Sequence, residues 1–450
     1  MVVPTALLQS LQTVKGFHQM DFEEVHASGE QIISIRLNPA KPFDPQYLPI
    51  SEKVKWCDHA VYLSERPFFT FDPLLHAGAY YVQEASSMFL WQALIQLMPE
   101  THAKKVLDLC AAPGGKSTLL SSYFKDGLLV SNEVIKNRAA ILVENCSKWA
   151  DSNTVITNND PTHFQSLPGF FDCIVVDAPC SGSGLFRKDP DSVNEWTEAN
   201  VQLCSQRQQR ILADILPALS ENGILIYATC SYSQEEDEFI CDWLINEMEM
   251  ESCGLALEDD WNVIETESPM NGAKGYRFFP NLIKGEGFFL SCFRKLKREN
   301  YEKIRSKQLQ MTTKSQVQQL ESVISLKAGL AFFDQSASVR AIDSSWVSDL
   351  SILANHLYIK KAGIEIAGFK GKDIVPSHEL ALSTLLIDGF PVLDLDLGNA
   401  LLYLKRKEFR INGTIGWNLI RFSGLGIGWA KLLPNRVNNY YPAEWRILKD

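Results

Sequence analysis

Short apolar runs alternate with segments of helix length through the middle of the chain, from about residue 104 to residue 294. The runs are KKVLDLC, GLLVSNE, NTVITNND, FDCIVVDAP and NGILIYATC. Runs of this kind are typical of buried strands, and the segments between them are long enough for crossover helices. The alternation therefore predicts an open α/β sheet of parallel strands. Two later runs, GYRFFP and GEGFFLSCF, are too close together for a crossover helix and predict an antiparallel hairpin at the sheet edge.

The hydrophobic pattern changes on both sides of this region. Residues 1–103 mix helical and extended patterns, which predicts an α+β N-terminal domain whose last helix leads into the first strand of the sheet. Residues 295–380 begin with a polar, Gln-rich stretch and are predicted to form a linker and an intermediate domain. In residues 381–450, glycine separates the runs LLYLKRKEF, GWNLIRFSG and GIGWAKLL, which predicts the strands of a small β-barrel-like module.

The charge of the chain is uneven. The formal net charge of -11 argues against binding nucleic acid through bulk charge. Residues 235–260 carry eleven acids and no Lys or Arg, whereas residues 294–307 carry seven bases among fourteen residues. A local basic face on an acidic body suits a protein that meets a phosphate backbone in one orientation.

Length and cysteine usage limit the number of domains and the cellular compartment that can be expected. With 450 residues, of which 46% are hydrophobic, the chain can form two or three domains with cores of their own. No apolar run approaches the roughly 18 residues of a membrane span, and the N-terminus lacks a signal-peptide pattern. Ten cysteines occur without a CxxC pair, so we expect reduced thiols, no metal and a cytoplasmic protein. Nothing in the sequence indicates an oligomer, and a monomer is expected.

A strand, a Gly-Gly turn and a helix follow one another in VLDLCAAPGGKSTLL, residues 106–120. A P-loop would need glycine five residues before Gly115, where Cys110 stands, and the dinucleotide fingerprint GxGxxG is also absent. A glycine-rich turn after the first strand still lets a ligand approach the backbone at a helix N-terminus. The turn is therefore predicted to bind a small adenosyl ligand.

Acidic residues close the next three predicted strands. Glu133 follows the second strand and is placed to bind ribose hydroxyls, as is usual in such sheets. Asp160 follows the third strand and is expected at the adenine edge, and Asp177 closes the fourth and is expected at the amino end of the ligand. Carboxyl ends of parallel strands meet at one edge, so the three acids are predicted to converge on one crevice.

Two thiols follow the fourth and fifth strands, Cys180 in DAPCSGSG and Cys230 in YATCSYS. Adjacent parallel strands would bring both to the edge that carries the adenosyl ligand. None of the eight histidines is adjacent in sequence to either thiol, which disfavours a Cys-His hydrolase, and no further ligands at suitable spacing favour zinc.

Two thiols beside a methyl donor suit methylation at carbon 5 of a pyrimidine. That carbon is a weak nucleophile until a thiolate adds to carbon 6, and a proton must later leave carbon 5 before the thiol can depart. Ser233 and Glu236 fit a capping box, which predicts a helix that begins just after Cys230 and favours its thiolate. Spacing alone leaves open which of the two thiols attacks.

These motifs together resemble a known family. DLCAAPGGKS, DAPCSGSGLFRKDP and ATCSYSQEED are similar to the Sun/Fmu family of RNA cytosine carbon-5 methyltransferases. GAYYVQEASSM, RFFPNLIKGEGFFLSCF and the glycine-rich tail resemble its RsmF-like branch, which modifies small-subunit ribosomal RNA. The resemblance covers nearly the whole chain and is weakest at 295–380. It implies a class I Rossmann-like methyltransferase sheet with a C-terminal PUA-like RNA-binding module.

The resemblance also implies a cofactor and site roles. S-adenosylmethionine would bind at Glu133, Asp160 and Asp177 and at the turn formed by Cys110, Ala111, Ala112, Pro113, Gly114, Gly115 and Lys116. Cys230 would be the nucleophile, Cys180 would aid release, and Asp177, with Lys116 close by, would polarise the base. Where the family usually has Arg-x-Gly, this chain has Lys148-Trp149-Ala150, a departure that affects a phosphate or packing contact.

The expected substrate is a cytosine in RNA, most directly 16S ribosomal RNA or the small ribosomal subunit. A base methylated at carbon 5 must leave its stack, and Arg187, Lys188 and Arg138 are predicted to contact the RNA. In the tail, Trp417 and Trp429 with Arg421 and Lys431 are candidates for stacking and phosphate contacts, with core packing as the alternative for the tryptophans. Two alternatives stay open: a transfer RNA methyltransferase and a non-catalytic RNA-binding assembly factor.

Overall fold

The computed structural model describes residues 2–297, 304–306, 308–371, 373–409 and 411–449. Part of the predicted linker, at 298–303 and 307, lies outside the described residues. The helices are α1 Thr5–Ser10, α2 Gln19–Ala27, α3 Pro73–His76, α4 Leu90–Leu97, α5 Gly115–Tyr123, α6 Lys136–Trp149, α7 Glu198–Ile215, α8 Glu238–Asn246, α9 Lys314–Glu321, α10 Val347–His356, α11 His378–Leu382 and α12 Leu397–Leu404.

The strands of the first two domains are β1 Ser34–Leu37, β2 Ile50–Lys53, β3 Ala60–Leu63, β4 Tyr80–Val82, β5 Lys105–Asp108, β6 Leu128–Asn132, β7 Thr154–Thr157, β8 Phe171–Asp177, β9 Leu219–Thr229, β10 Met250–Cys253, β11 Ile264–Glu267, β12 Lys274–Phe278 and β13 Phe288–Lys295. Those that follow are β14 Ser325–Leu326, β15 Leu330–Gln335, β16 Ser338–Asp343, β17 Ile359–Ala362, β18 Ile364–Lys370, β19 Asp373–Pro376, β20 Leu386–Asp388, β21 Val392–Asp394, β22 Gly416–Phe422, β23 Leu425–Leu433 and β24 Arg436–Asn439.

The central sheet confirms the predicted α/β fold. Its order is β11-β12-β13-β9-β8-β5-β6-β7-β17, and β10 pairs with β13. The five strands β9, β8, β5, β6 and β7 are parallel, while β12 and β13 form the predicted antiparallel hairpin. Side chains alternate between the two faces: Leu107 and Ile174 pack into one core and Val106 and Val175 into the other.

One strand of this sheet comes from outside the predicted catalytic region. β17 belongs to the intermediate segment and pairs antiparallel with β7, with Ile359 opposite Thr157 and Ala362 opposite Val155. It covers the edge that β7 would otherwise expose. The intermediate segment is therefore structurally continuous with the sheet that carries the candidate site.

The N-terminal region has the predicted α+β character. Helices α1 and α2 precede a four-stranded antiparallel sheet of order β2-β3-β1-β4. The intermediate segment contains a second four-stranded sheet, β15-β16-β18-β19. The short strand β14 of this segment pairs with β20, which lies at Leu386–Asp388.

The C-terminal module is a sheet of order β21-β22-β23-β24 with helix α12. The sequence prediction of a strand at 401–409 is wrong, because α12 occupies Leu397–Leu404. The Asp396 side chain accepts a hydrogen bond from the Asn399 amide and caps this helix. Ala400, Tyr403 and Leu404 are buried at helical spacing, a pattern that the short run LLYL concealed. Among the described residues, no helix combines the length and apolar character needed to cross a bilayer.

Candidate active site at the switch point of the central sheet

The candidate site lies at the carboxyl ends of β5 and β8, where the strand order reverses. β6 pairs with β5 on one side and β8 pairs with it on the other. Loops that leave the sheet in opposite directions open a crevice at such a point, which is where ligands bind in this class of sheet. At this edge the structure pairs Lys116 of the turn with Asp177 and places the Cys180 and Cys230 sulfur atoms in contact, whereas the charged neighbours of Asp160 are Arg210 and His163.

The Gly-Gly turn is held by hydrogen bonds on both sides. Gly114 has φ +120°, a conformation that favours glycine, and is the N-cap residue just before α5. The Ala111 amide donates to the Asn132 carbonyl at 2.8 Å, which fixes the turn to the end of β6. Arg138, predicted to contact RNA, donates to the Ala112 carbonyl at 2.8 Å. The Arg138 guanidinium therefore supports the turn from the side of α6.

The three predicted acids differ in their surroundings. Glu133 is 2% exposed, and its carboxylate accepts a hydrogen bond from the Ile135 amide at 2.8 Å. Asp160 is exposed and accepts from the Thr162 amide and hydroxyl, which lower the pKa of its carboxyl. Asp177 closes β8 and faces the crevice with its side chain 35% exposed.

Lys116 and Asp177 form an ion pair within the crevice. The ammonium nitrogen lies 2.7 Å from the carboxylate, and the lysine side chain is 12% exposed. Burial acts to lower the pKa of Lys116, but nearby negative charges, above all Asp177, outweigh it, and the net pKa is raised. Lys116 therefore stays protonated beside the two thiols. Its ammonium also lies 5.2 Å from the centre of the Phe288 ring.

The two predicted thiols face each other. Cys180 and Cys230 follow adjacent parallel strands, and their sulfur atoms are 3.1 Å apart, within hydrogen-bond distance. The contact with Cys230 and burial raise the pKa of the Cys180 thiol well above its ordinary value. The Cys180 thiol is therefore held in its protonated form beside the Cys230 sulfur.

The predicted capping box after Cys230 is wrong. The α-helix begins only at Glu238, after a 3₁₀ turn, and the Ser233 side chain makes no cap hydrogen bond. The Glu236 side chain turns back toward the thiol loops and hydrogen-bonds to Ser181, so it is not free to cap a helix. The helix dipole argument for Cys230 consequently loses its structural basis.

Glycines allow the loops around Cys230 to close tightly. The Gly184 amide donates to the Cys230 carbonyl at 2.8 Å, and the Gly287 amide donates to the Gly184 carbonyl at 3.0 Å. A Cβ atom on Gly184 would stand 2.4 Å from the Gly287 carbonyl oxygen. Glycine is thus required where the Cys180 loop crosses the GEGFF segment.

The two bases after Cys180 have different exposures. Arg187 is 9% exposed, and its guanidinium donates to the carbonyls of Glu30 and Gly285. It ties the N-terminal region to the GEGFF loop from inside the protein, which directs its side chain away from solvent. Lys188 is exposed on the surface.

The predicted tail residues are also divided. Trp429 is 1% exposed and packs in the core, and its indole N–H donates to a backbone carbonyl before α11. Trp417 is partly exposed, with the Lys431 ammonium 5.4 Å from its ring centre. Arg421 pairs with Asp394 at 2.9 Å. Core packing, the alternative that the sequence left open, accounts for Trp429.

Arg36 is a site-supporting residue that sequence reasoning missed. It lies on β1, is 1% exposed, and donates to the Gly115 carbonyl at 3.1 Å and to the Thr118 carbonyl at 3.3 Å. The N-terminal domain therefore holds the first turn of α5. An arginine in the apolar strand sequence SIRL was the available signal, because a buried guanidinium requires partners.

No group of three or more His, Cys, Asp or Glu side chains is arranged to hold a metal ion in the described part of the chain. The polar groups of the crevice are instead an ion pair, a buried carboxylate and two thiols. Such a set binds hydroxyl, amino and cationic groups and can form a covalent bond through sulfur.

Comparison with protein families matches most of the chain. The profile of 16S rRNA methyltransferase RsmB/F matches residues 94–294. The N-terminal domain of 16S rRNA methyltransferase RsmF matches residues 3–85, and the RsmF PUA domain matches residues 390–447. The predicted family resemblance and the PUA-like module are thereby confirmed.

Individual relatives agree with these families. The chain is 30% identical to ribosomal RNA small subunit methyltransferase F of Vibrio cholerae, over 87% of this chain and 85% of that protein. The corresponding Vibrio vulnificus protein is 27% identical, over 98% of this chain and 97% of the relative.

Two solved structures share the fold. A methyltransferase homologue from Pyrococcus horikoshii has a TM-score of 0.51 and 26% identity, over 65% of this chain and all 100% of the other. NSun6 from the same organism has a TM-score of 0.54 and 16% identity, over 65% of this chain and 98% of the other.

Proposed function

This chain belongs to the RsmB/F family of 16S rRNA methyltransferases, and from that premise we propose that it methylates carbon 5 of a cytosine in small-subunit ribosomal RNA. Family membership makes it an enzyme that uses S-adenosylmethionine to methylate RNA. What we propose beyond this is the identity of the base, the carbon atom that is methylated and the covalent cysteine adduct through which the reaction passes. The observation that carries them is the 3.1 Å separation of two thiols beside the crevice.

The crevice residues fit S-adenosylmethionine. The Glu133 carboxylate has one oxygen 3.5 Å from the nearest guanidinium nitrogen of Arg138 and so retains acceptor capacity for the ribose hydroxyls. Asp108 lies beneath the turn, and its Oδ1 is buried without a hydrogen-bond partner among the described residues. We assign the turn Cys110 to Gly115 to the methionine and ribose, Asp160 to the adenine edge, and Asp177 to the amino group.

When bound, S-adenosylmethionine supplies an electrophilic methyl group. The chain supplies the nucleophilic activation: the Cys230 sulfur adds to carbon 6 of cytosine and raises electron density at carbon 5. The Lys116 ammonium, held 2.7 Å from Asp177, places positive charge beside a ring that becomes electron-rich. Cys230 is the attacking thiol in this assignment because the family resemblance gives that role to the thiol of ATCSYSQEED, and negative charge on Cys230 is among the influences that raise the pKa of Lys116.

Release restores the aromatic ring. The proton on carbon 5 passes to a solvent base, its bonding electrons form the carbon 5–carbon 6 double bond, and the electrons of the carbon–sulfur bond return to Cys230. Cys180 aids this step because its thiol, with its raised pKa, donates a hydrogen bond to the departing thiolate. Without Cys180 the departing sulfur loses that stabilisation, and the adduct should persist.

The RNA would be held by surfaces on two domains. Lys188 is exposed beside the Cys180 loop, where phosphates flanking an extruded base would lie. In the C-terminal module a groove of about 1550 Å³ is lined by Arg406, Arg436, Asn435 and Asn438, among others. The arginine side chains of this groove can bind the phosphates of single-stranded RNA, and the asparagine amides can hydrogen-bond to the edges of its nucleobases.

Thiol variants test the chemistry with purified protein, small-subunit RNA and labelled S-adenosylmethionine. We expect Cys230→Ala to lose methyl transfer and Cys180→Ala to accumulate a denaturation-resistant protein–RNA adduct. Cys253→Ala, a change in a partly exposed thiol on β10, is the matched control and should behave as wild type. A Cys180→Ala enzyme without adduct, together with a Cys230→Ala enzyme of normal turnover, would refute the two-thiol mechanism.

Bisulfite mapping of all ribosomal and transfer RNAs identifies the substrate. Cells that lack the gene and cells that carry Cys230→Ala should both lose one or more methyl marks in small-subunit RNA. Loss of marks only in transfer RNA would instead support the transfer RNA alternative. Methyl transfer by the purified protein would exclude a purely structural assembly factor.

A further inference from the structure

Glu236 is a fully buried acid that the proposed chemistry leaves without a role. It is 0% exposed and lies in the 3₁₀ turn after the Cys230 loop. Burial raises the pKa of this carboxyl, and the hydrogen bonds that it accepts oppose the rise. No ion pair of the described residues includes it. Burial of a carboxyl group costs free energy unless hydrogen-bond donors satisfy it. The identity of the donors to Glu236 therefore indicates which parts of the structure this residue holds together.

The donors come from both thiol loops. Ser181, the neighbour of Cys180, donates its amide to Glu236 at 2.8 Å and its hydroxyl at 2.5 Å. The hydroxyl of Ser231, the neighbour of Cys230, donates at 2.6 Å to Oε2 of Glu236, the oxygen that also accepts the Ser181 hydroxyl. One side chain therefore binds the residue next to each sulfur.

Further contacts immobilise the carboxylate itself. Gln208 on α7 donates to Glu236 at 3.3 Å, and the same glutamine accepts from the Tyr227 hydroxyl at 3.0 Å. The Tyr227 hydroxyl lies 2.6 Å from the Glu236 carbonyl oxygen. The carboxylate is thus fixed to the central sheet and to α7, and it cannot follow either thiol loop independently.

We infer that Glu236 is the positioning residue that sets the separation between the attacking and the releasing thiol. The inference rests on the proposed two-thiol function and extends it to a residue that touches neither substrate nor cofactor. Each loop leaves the sheet on its own, with fifty residues between the two sulfurs in sequence. Backbone amides also join the loops, from Gly184 to the Cys230 carbonyl and from Tyr232 to the Ser183 hydroxyl, but the shared carboxylate is the link that binds the residue next to each sulfur.

Asp242 offers a matched comparison. It is 4% exposed and accepts from the Ser268 hydroxyl at 2.6 Å and from the Asn271 amide at 2.9 Å. Like Glu236, Asp242 is a buried carboxylate that accepts hydrogen bonds from a serine hydroxyl and a backbone amide, but its bonds hold the turn between β11 and β12. Asp242→Asn therefore reports the general cost of losing a buried carboxylate without disturbing the thiol loops.

An arsenical that bridges two thiols measures their separation without RNA. Phenylarsine oxide condenses with two thiols, forms two arsenic–sulfur bonds and releases water. Wild type and Asp242→Asn should bind it equally, Cys230→Ser should lose the site, and Glu236→Gln should bind at least tenfold more weakly. A Gln amide presents N–H groups to the Ser181 and Ser231 donors and cannot replace the carboxylate.

A double variant covers the possibility that Glu236→Gln unfolds. Ser181→Ala with Ser231→Ala keeps the buried acid and the Ser181 amide bond but removes both hydroxyl links. It should fold, as checked by its melting temperature, and show the same weakened arsenical binding. It should also form the RNA adduct at least tenfold more slowly, with unchanged affinity for S-adenosylmethionine.

Two outcomes would overturn the inference. One is wild-type arsenical binding and adduct formation in the folded double variant and in Glu236→Gln. The other is an equal loss in Asp242→Asn. If the wild-type protein binds the arsenical but never forms an RNA adduct, the proposed function fails while the positioning role of Glu236 stands.

Discussion

At the scale of single residues, Glu286 is a buried acid whose pKa is raised into the neutral range. It lies in the GEGFF segment with its side chain 7% exposed, 3.8 Å from the Arg187 guanidinium. Burial raises its pKa to about 7, and Arg187 only partly offsets this. The folded protein therefore binds this proton more tightly than the unfolded chain does.

We predict that Glu286→Gln flattens the pH dependence of stability. The stabilisation from the raised pKa is complete below the unfolded value near 4.5 and is lost as the pH rises through about 7. Between about pH 5.5 and 8.5 the wild type should lose about 2 kcal/mol more unfolding free energy than the variant. Urea unfolding at a series of pH values measures this. Glu65→Gln, at an exposed acid, should follow the wild type, and parallel curves for wild type and Glu286→Gln would disprove the assignment.

The location of much of the candidate site could be predicted from the order of motifs along the chain, but the residues that support the site could not. The turn, the acids and the thiols could be predicted because each follows an apolar run, and the ends of parallel strands share one edge. Arg36 and Glu236 could not, because their partners Gly115 and Ser181 are 79 and 55 residues away in sequence. A local capping motif was the nearest available explanation for Glu236, and the tertiary contact replaced it.

At the scale of elements, β17 is a strand of the central sheet that sequence could not predict. The runs that became β5 to β9 are apolar and buried, whereas IKKA carries two lysines. Lys361 is 2% exposed because its ammonium donates to the Gly363 carbonyl and pairs with Glu379. The segment is a strand only because β7 offers an unpaired edge.

Asn159 joins this strand to the site. Its side-chain amide donates to the Tyr358 carbonyl at 3.1 Å, and its side-chain oxygen accepts from the Tyr358 amide at 3.0 Å. We predict that Asn159→Ala lowers the unfolding free energy by about 1–3 kcal/mol, because two side-chain hydrogen bonds worth about 0.5–1.5 kcal/mol each are lost. Amide hydrogen exchange should accelerate at 359–362. Asn355→Ala, at an exposed position of α10, is the control, and unchanged exchange at 359–362 in Asn159→Ala would contradict the prediction.

At the scale of the whole molecule, α6 connects three domains through the segment where the chain departs from its family. The Arg36 guanidinium lies 4.6 Å from the Trp149 ring centre, and Lys41 donates to the Lys148 carbonyl at 2.6 Å. The Lys148 ammonium lies 5.5 Å from the ring centre of Trp445 in the C-terminal module. The departure at Lys148-Trp149 therefore has a packing role between domains.

We predict that Arg36→Met weakens S-adenosylmethionine binding about tenfold, or about 1.4 kcal/mol, because the first turn of α5 loses its anchor in the N-terminal domain. Calorimetric titration of the full-length protein measures the affinity. Arg66→Met removes an exposed arginine of the same domain and should leave the affinity unchanged. Wild-type affinity in a folded Arg36→Met protein would show that the domain contact does not reach the cofactor turn.

β17 is translated long after β7, its partner in the sheet, and this delay has a consequence for protein synthesis. β7 ends at Thr157 and β17 begins at Ile359, so about two hundred residues are translated after one strand before its partner exists. At about 5–20 residues per second this takes roughly 10–40 s. During that interval the nascent sheet carries an open edge next to the cofactor crevice, which invites pairing with other chains. Translation speed and chaperone protection across this interval should therefore affect the yield of active enzyme.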